Sequence, residues 1–254
     1  MCCIKDLIKE RVLILDGAMG TMIQNFSLSE DDFRGTRFLS LPALQKGNND
    51  LLSLSQPNII TQIHRKYLEA GADIIETNTF NAQRVSMSDY HCEHLCREMN
   101  IESAKIAKSI ASEYTSQNPD KPRFVAGSIG PTNKSCSVSP DIDDPARRSI
   151  TFDKLAEAYQ EQIEALLEGG VDLLLIETVF DTLNAKAALF AASKAMKNVR
   201  EVPIFLSVTI STNGGRTFSG QSLDAFITSV SHFPIFSLGL NCSFGAFEMK
   251  PFLS

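Results

Sequence analysis

Tryptophan is absent from the 254 residues, and that absence alone excludes nothing. Other shortages exclude more. Basic residues are outnumbered, giving a formal net charge of −6 at pH 7, so a broad phosphate-binding surface is not expected and nucleic acid is not a partner. No apolar run approaches the roughly 20 residues of a membrane span, so no membrane partner is expected either. The opening, Met1-Cys-Cys-Ile-Lys-Asp-Leu-Ile-Lys-Glu10, is charged too early for a secretory signal. Without a signal, six cysteines read as reduced thiols in a cytoplasmic chain rather than a disulfide framework.

What remains is an ordinary globular composition, 43% apolar and 21% charged, long enough for one large domain. Two segments end alike: Glu69-Ala-Gly-Ala-Asp-Ile-Ile-Glu76-Thr77 and Glu168-Gly-Gly-Val-Asp-Leu-Leu-Leu-Ile-Glu177-Thr178. Each reads as a helix end, a glycine stop, an apolar strand, then a carboxylate and a threonine. Apolar strands between amphipathic helices mark a parallel sheet covered on its faces.

The pattern continues along the chain. Strands are predicted over 12–15, 73–76, 123–129, 172–176, 203–209 and 236–240. Helices are predicted over 57–70, 88–114, 152–168, 181–196 and 223–232. Residues 21–56 and 134–150 read as long loops, of a length that usually serves function. Strict strand–helix alternation means a parallel β/α fold. A doubly wound sheet and a (β/α)₈ TIM-type barrel both fit. Polar or glycine-rich motifs recur after nearly every strand instead of gathering at one switch point, which favours the barrel. With about six β/α units the barrel is incomplete, so residues 1–254 are expected to be one C-terminally truncated domain. Its unpaired edge strands are an aggregation liability.

Acids just past the carboxyl ends of such strands stand where parallel folds keep their chemistry. Glu76 and Glu177 suit an ammonium group or acid–base work, though loop-anchoring carboxylates would look the same. Asp16-Gly17-Ala-Met-Gly-Thr21 is not the dinucleotide-binding glycine pattern; its amides suit an anion and Asp16 a cation, unless it is a plain tight turn. Cys242 follows a strand where a metal ligand or nucleophile would stand, or it is a buried apolar residue. His91-Cys92-Glu-His94-Leu-Cys96 offers four ligand types, but on a helix the two pairs diverge, so a solvated or packed face is the default. Cys2-Cys3 starts at the amino end of the strands, about one strand length from Cys242, roughly 17–20 Å. Asp141, Asp143 and Asp144 read as solvated surface.

From about residue 10 to 245 the chain resembles the homocysteine-binding domain of cobalamin-dependent methionine synthase, in the homocysteine S-methyltransferase family. The strings that carry the resemblance, in order, are Leu15-Asp-Gly-Ala-Met-Gly-Thr-Met-Ile-Gln24, Phe33-Arg-Gly35, Lys46-Gly-Asn-Asn-Asp-Leu-Leu52 and Gly71-Ala-Asp-Ile-Ile-Glu-Thr-Asn-Thr-Phe-Asn81. They continue with Gly130-Pro-Thr-Asn133, Ile176-Glu-Thr-Val-Phe-Asp-Thr-Leu-Asn-Ala-Lys186, Ser219-Gly-Gln221 and Gly239-Leu-Asn-Cys242. The resemblance implies a (β/α)₈ barrel that activates homocysteine through zinc for methyl transfer to give methionine. By motif, Asp16 and Glu177 would bind the substrate amino group and the Gly17–Gly20 and Thr77 region its carboxylate. Cys242 would be the first of three zinc thiolates. The other two, a Cys-Cys pair in a Gly-Gly-Cys-Cys-Gly string, have no counterpart here. The cobalamin-, folate- and S-adenosylmethionine-binding modules of the full enzyme are also missing. The chain is therefore expected to be a methionine synthase fragment, inactive in isolation. Alternatives are a subunit completed by a second chain, or a non-catalytic amino-acid-binding remnant.

Overall fold

The computed structural model describes residues 4–211, 214–242 and 244–252. Five parallel strands form one sheet: β1 (Ile74–Glu76), β2 (Phe124–Ile129), β3 (Leu173–Val179), β4 (Ile204–Val208) and β5 (Ser237–Leu240). They stand in chain order, each paired only with its sequence neighbours. A doubly wound sheet reverses its order at a switch point and this one does not, so the winding is that of an incomplete TIM-type barrel.

Eleven α-helices surround the sheet among the described residues. The first four are α1 (Ile4–Glu10), α2 (Met19–Gln24), α3 (Glu30–Arg34) and α4 (Leu52–Ser55). The covering helices are α5 (Pro57–Glu69), α7 (Cys96–Gln117), α8 (Phe152–Gly169), α9 (Thr182–Asn198) and α10 (Leu223–Val230), with the short α6 (Arg84–Met87) and α11 (Ala246–Met249). Starts and stops follow local chemistry. Pro57 opens α5, the Thr151 hydroxyl accepts from Lys154 N, and Asp181 accepts from Leu183 N. Gly170 ends α8 in the left-handed region, at φ +97°.

The strands alternate with period two. Ile75, Val125, Leu174, Ile176, Leu206 and Val208 face outward into the main core under the helices. Ile74, Phe124, Ala126, Leu173 and Leu175 face inward, where Ile4 and Leu7 of α1 plug the barrel floor. The same inner phase carries Glu76, Ser128, Glu177, Ser207 and Asn241 towards the carboxyl end. An apolar floor with a polar mouth follows from the alternation alone.

Three expectations are corrected. The predicted strand over 12–15 is reduced to a single parallel bridge, Leu15 to Ile74. Its other side has no strand neighbour among the described residues, and Val12 and Ile14 are exposed; Arg11 fastens it by a bidentate pair with Asp73 at 2.8 and 2.9 Å, and Ile14 N donates to the same carboxylate. The barrel therefore has five full strands and this remnant. A cleft of about 550 Å³, lined by Ile8, Val12, Leu15, Ile74, Phe205 and Ser237 among others, opens between the remnant and β5. The helix predicted over 88–114 starts only at Cys96, because His91 turns left-handed at φ +51° and two 3₁₀ turns precede it. Cys92 and Cys96 are buried there. Residues 21–56, read as a loop, contain three short helices, with Arg34 donating to four backbone carbonyls and Glu30 accepting from Gln45 N and Lys46 N.

Candidate active site at the strand carboxyl ends

Asp16, Glu76, Glu177 and Cys242 come together at the barrel mouth. Asp16 leaves the edge remnant with its N–H donating to Ile74 O at 2.9 Å. Its two carboxylate oxygens accept from Glu76 N, both at 3.1 Å. The Ser128 hydroxyl donates to Glu177 Oε1 at 2.6 Å. The Glu76 and Glu177 carboxyls lie within hydrogen-bonding reach of each other. Among the described residues these three acids have no lysine or arginine partner, and the groups acting on them are one another, Ser128, Asn241, Cys242 and backbone amides.

The electrostatics follow from that crowding. Burial pushes the Asp16 carboxyl up to about 8, against the hydrogen bond from Glu76 N and with the charge of Glu177 adding to it. Burial raises Glu76 well above the usual carboxylate range, reinforced by the charges of Glu177 and Asp16. Glu177 is also raised by burial, opposed by its bonds with Ser128 and Glu76. Glu76 and Glu177 thus titrate as a coupled pair that holds a proton between them. Three carboxyls this close cannot all ionise in the free protein, and a cation placed among them would favour their charged forms.

Cys242 lies at the exposed rim, beside the cluster. Both Cys242 and Thr178 adopt left-handed backbone, at φ +60° and +57°. For a β-branched threonine that is a genuine strain. Asn241 joins the two: Thr178 N donates to its Oδ1 at 3.1 Å, and its Nδ2 donates to Thr178 Oγ1 at 2.8 Å. The register of β3 against β4 shifts between Ile176 and Val179, which frees this turn.

Thr77 and Gly17 occupy supporting positions. The Thr77 hydroxyl is buried, accepts from Ser128 N at 3.0 Å and bonds Thr79 Oγ1 at 2.6 Å, while Thr79 donates to Ser128 O. Its hydrogen-bonding capacity ties β1 to β2. Gly17 faces Tyr67, whose hydroxyl donates to Ala18 O at 3.2 Å; a Cβ on Gly17 would stand 3.2 Å from that oxygen. Ser128, Thr178, Ser207 and Asn241 were not singled out from the sequence. Inner-face alternation marks Ser128, Ser207 and Asn241, and the repeated Glu-Thr ending marks Thr178, but nothing sequential shows that its backbone is left-handed.

The described residues do not fit a zinc site. Cys242 is its one candidate thiolate, with Thr178 and Asn241 as polar neighbours. Cys92, Cys96 and Cys136 are buried, and burial pushes the Cys92 and Cys136 thiols up to about 11 and the Cys96 thiol well above the usual thiol range. Cys2 and Cys3 lie outside the described residues. No group of three His, Cys, Asp or Glu side chains able to hold a metal occurs among the described residues, and His91 and His94 join none.

Comparison with known proteins gives a consistent answer. The family model for homocysteine S-methyltransferase matches residues 13–254. The structure is similar to homocysteine methyltransferase MmuM from Escherichia coli. The metallated form matches with a TM-score of 0.71 at 20% identity, covering 94% of this chain and 77% of that one. The oxidized form matches at 0.72 and 20%, covering 94% and 76%; the apo form matches at 0.66 and 22%, covering 93% and 74%. At such identities the likeness is one of fold.

Proposed function

From the premise that the chain belongs to the homocysteine S-methyltransferase family, we propose that its three-acid mouth binds the ammonium end of homocysteine and turns the sulfur towards Cys242 at the rim. The observation that carries this is the convergence of Asp16, Glu76 and Glu177 without a cationic partner among the described residues. Chemically, methyl transfer forms a carbon–sulfur bond at homocysteine, breaks the donor–methyl bond and releases the thiol proton. Methionine is the product.

The acids hold and orient the amino acid. An ammonium placed among them favours their ionised forms, so binding drives off protons that the free site keeps. The carboxylate end then falls to the first backbone N–H groups of the Gly17–Gly20 turn, which have no partners within α2. Zinc, supplied to a complete thiolate set, would lower the pKa of the substrate thiol; one thiolate is not such a set, and no step here runs through it. Cobalamin, folate-binding modules and a cytoplasmic setting belong to the methionine synthase version of this reading.

The seam between the Leu15 bridge and β5 favours one refinement. A second polypeptide carrying the further strands would close the barrel and add ligands beside Cys242. On that view residues 1–254 are one homocysteine-binding domain awaiting completion.

Titration calorimetry with L-homocysteine tests the core proposal. Binding is expected to release protons, seen as a heat that varies with the ionisation enthalpy of the buffer, and to weaken at least tenfold in Glu177→Gln. Undiminished binding in that variant, or none by the native chain, would refute it.

A further inference from the structure

Asn241 sits at the crossing of three strand ends. It follows β5, its Oδ1 accepts from Ser207 Oγ of β4 at 2.9 Å and from Thr178 N of β3 at 3.1 Å. Its Nδ2 lies 2.8 Å from Thr178 Oγ1, 3.4 Å from Glu177 Oε2 and 3.5 Å from Cys242 Sγ. Thr209 Oγ1 donates to its backbone carbonyl at 3.1 Å. One amide nitrogen thus stands between the Glu177 carboxylate and the Cys242 thiol, within 3.4 Å of the one and 3.5 Å of the other.

The direction of these bonds is fixed by chemistry. An amide oxygen only accepts and an amide nitrogen only donates. Thr178 Oγ1 therefore receives the Asn241 hydrogen, which leaves its own hydrogen for Cys242 Sγ, 3.7 Å away. The chain runs Ser207 to Asn241 to Thr178 to Cys242, each member orienting the next. It also explains the two left-handed residues, since strained backbone persists only where its surroundings over-determine it.

We propose that Asn241 is a positioning residue that sets the distance and direction between the Glu177 carboxylate and Cys242 Sγ, and so selects amino acids whose sulfur stands one side-chain length from the ammonium group. This rests on the ammonium-binding reading above. Replacement by aspartate reverses the relay. The position that donated becomes an acceptor, so the Thr178 hydroxyl turns to it and releases Cys242, and a new negative charge faces Glu177.

Thiol–disulfide exchange tests this. Cys242 attacks a disulfide, forming a mixed disulfide and expelling one thiolate. The rate with homocystine, divided by the rate with bis(2-hydroxyethyl) disulfide, cancels intrinsic thiol reactivity and reads positioning alone. Mass spectrometry follows modification at Cys242, with Cys242→Ser as the blank. The native chain is expected to prefer homocystine by about tenfold or more, the advantage of a second oriented contact. Asn241→Asp and Asn241→Ala should bring the ratio near one; Ser207→Ala, which removes only the far end of the relay, should lower it less. A native ratio of one would sink the ammonium-binding reading. A native preference kept in all three variants would sink the role of Asn241 and leave that reading standing. Should the Asn241 variants fail to fold, Ser207→Ala decides the matter, because an unchanged ratio there breaks the relay.

Discussion

Replacing Asp16 by asparagine should make the ligand-free protein more stable at pH 8, although it damages the site. The amide is isosteric and its oxygen still accepts from Glu76 N, which the carboxylate does at 3.1 Å. What disappears is the cost of holding a buried acid near two others. The folded-state value of Asp16 is raised from 3.8 to about 8, so between those limits the native state binds a proton that the unfolded chain has released. Stability from this group is therefore full below about pH 4 and is lost as pH rises to about 8. At about 1.4 kcal/mol per pH unit the ceiling is about 6 kcal/mol. Water at the mouth screens much of that, and about 2 kcal/mol is expected at pH 8. For a chain of this size that corresponds to a rise of about 4–8 °C in melting temperature. Calorimetric melts of both proteins from pH 4 to 8.5 measure it, since contributions shared by the two cancel in the difference. The gap should be near zero at pH 4 and grow with pH. A variant less stable than the native chain at pH 8, or a gap independent of pH, would refute the reasoning.

Other sites give expectations of different sign. His64 is buried in α5 with no partner for either ring nitrogen among the described residues, and burial pushes it down to about 4. Its stability contribution is present above about pH 6.5 and is lost as pH falls towards 4, so His64→Leu should gain about 2 kcal/mol at pH 4.5 relative to its effect at pH 7.5; urea titrations at both values check this, and equal effects would disprove it. Gly130 lies where a Cβ would stand 2.4 Å from Phe80 O, while its own N–H donates to that oxygen at 3.0 Å. Gly130→Ala should cost about 3 kcal/mol or more by denaturant unfolding, because backbone rather than a flexible side chain must yield.

Residue order alone dictates the class of fold and the level of the site along the strands. Continuous apolar runs such as Leu173–Ile176 bury both faces of a strand, and glycine stops at Gly71 and Gly170 place the strand starts. The acid after each run therefore had to emerge at one end of a parallel sheet, and period-two alternation turned Glu76 and Glu177 inward with it. Sequence could not decide what lies across the barrel. Only the pairing of Leu15 with Ile74 brings Asp16 onto Glu76 N, and only the side-by-side ends of β3, β4 and β5 put Asn241 among Glu177, Thr178 and Ser207. It also could not tell that His91 breaks a helix, or that the first strand is a single bridge, because both depend on neighbours rather than on local pattern. Local periodicity is written by the chain's own sterics, which adjacent residues determine. Proton sharing among three acids depends on distances between segments 60 to 160 residues apart, and those exist only once the barrel wall has wound round.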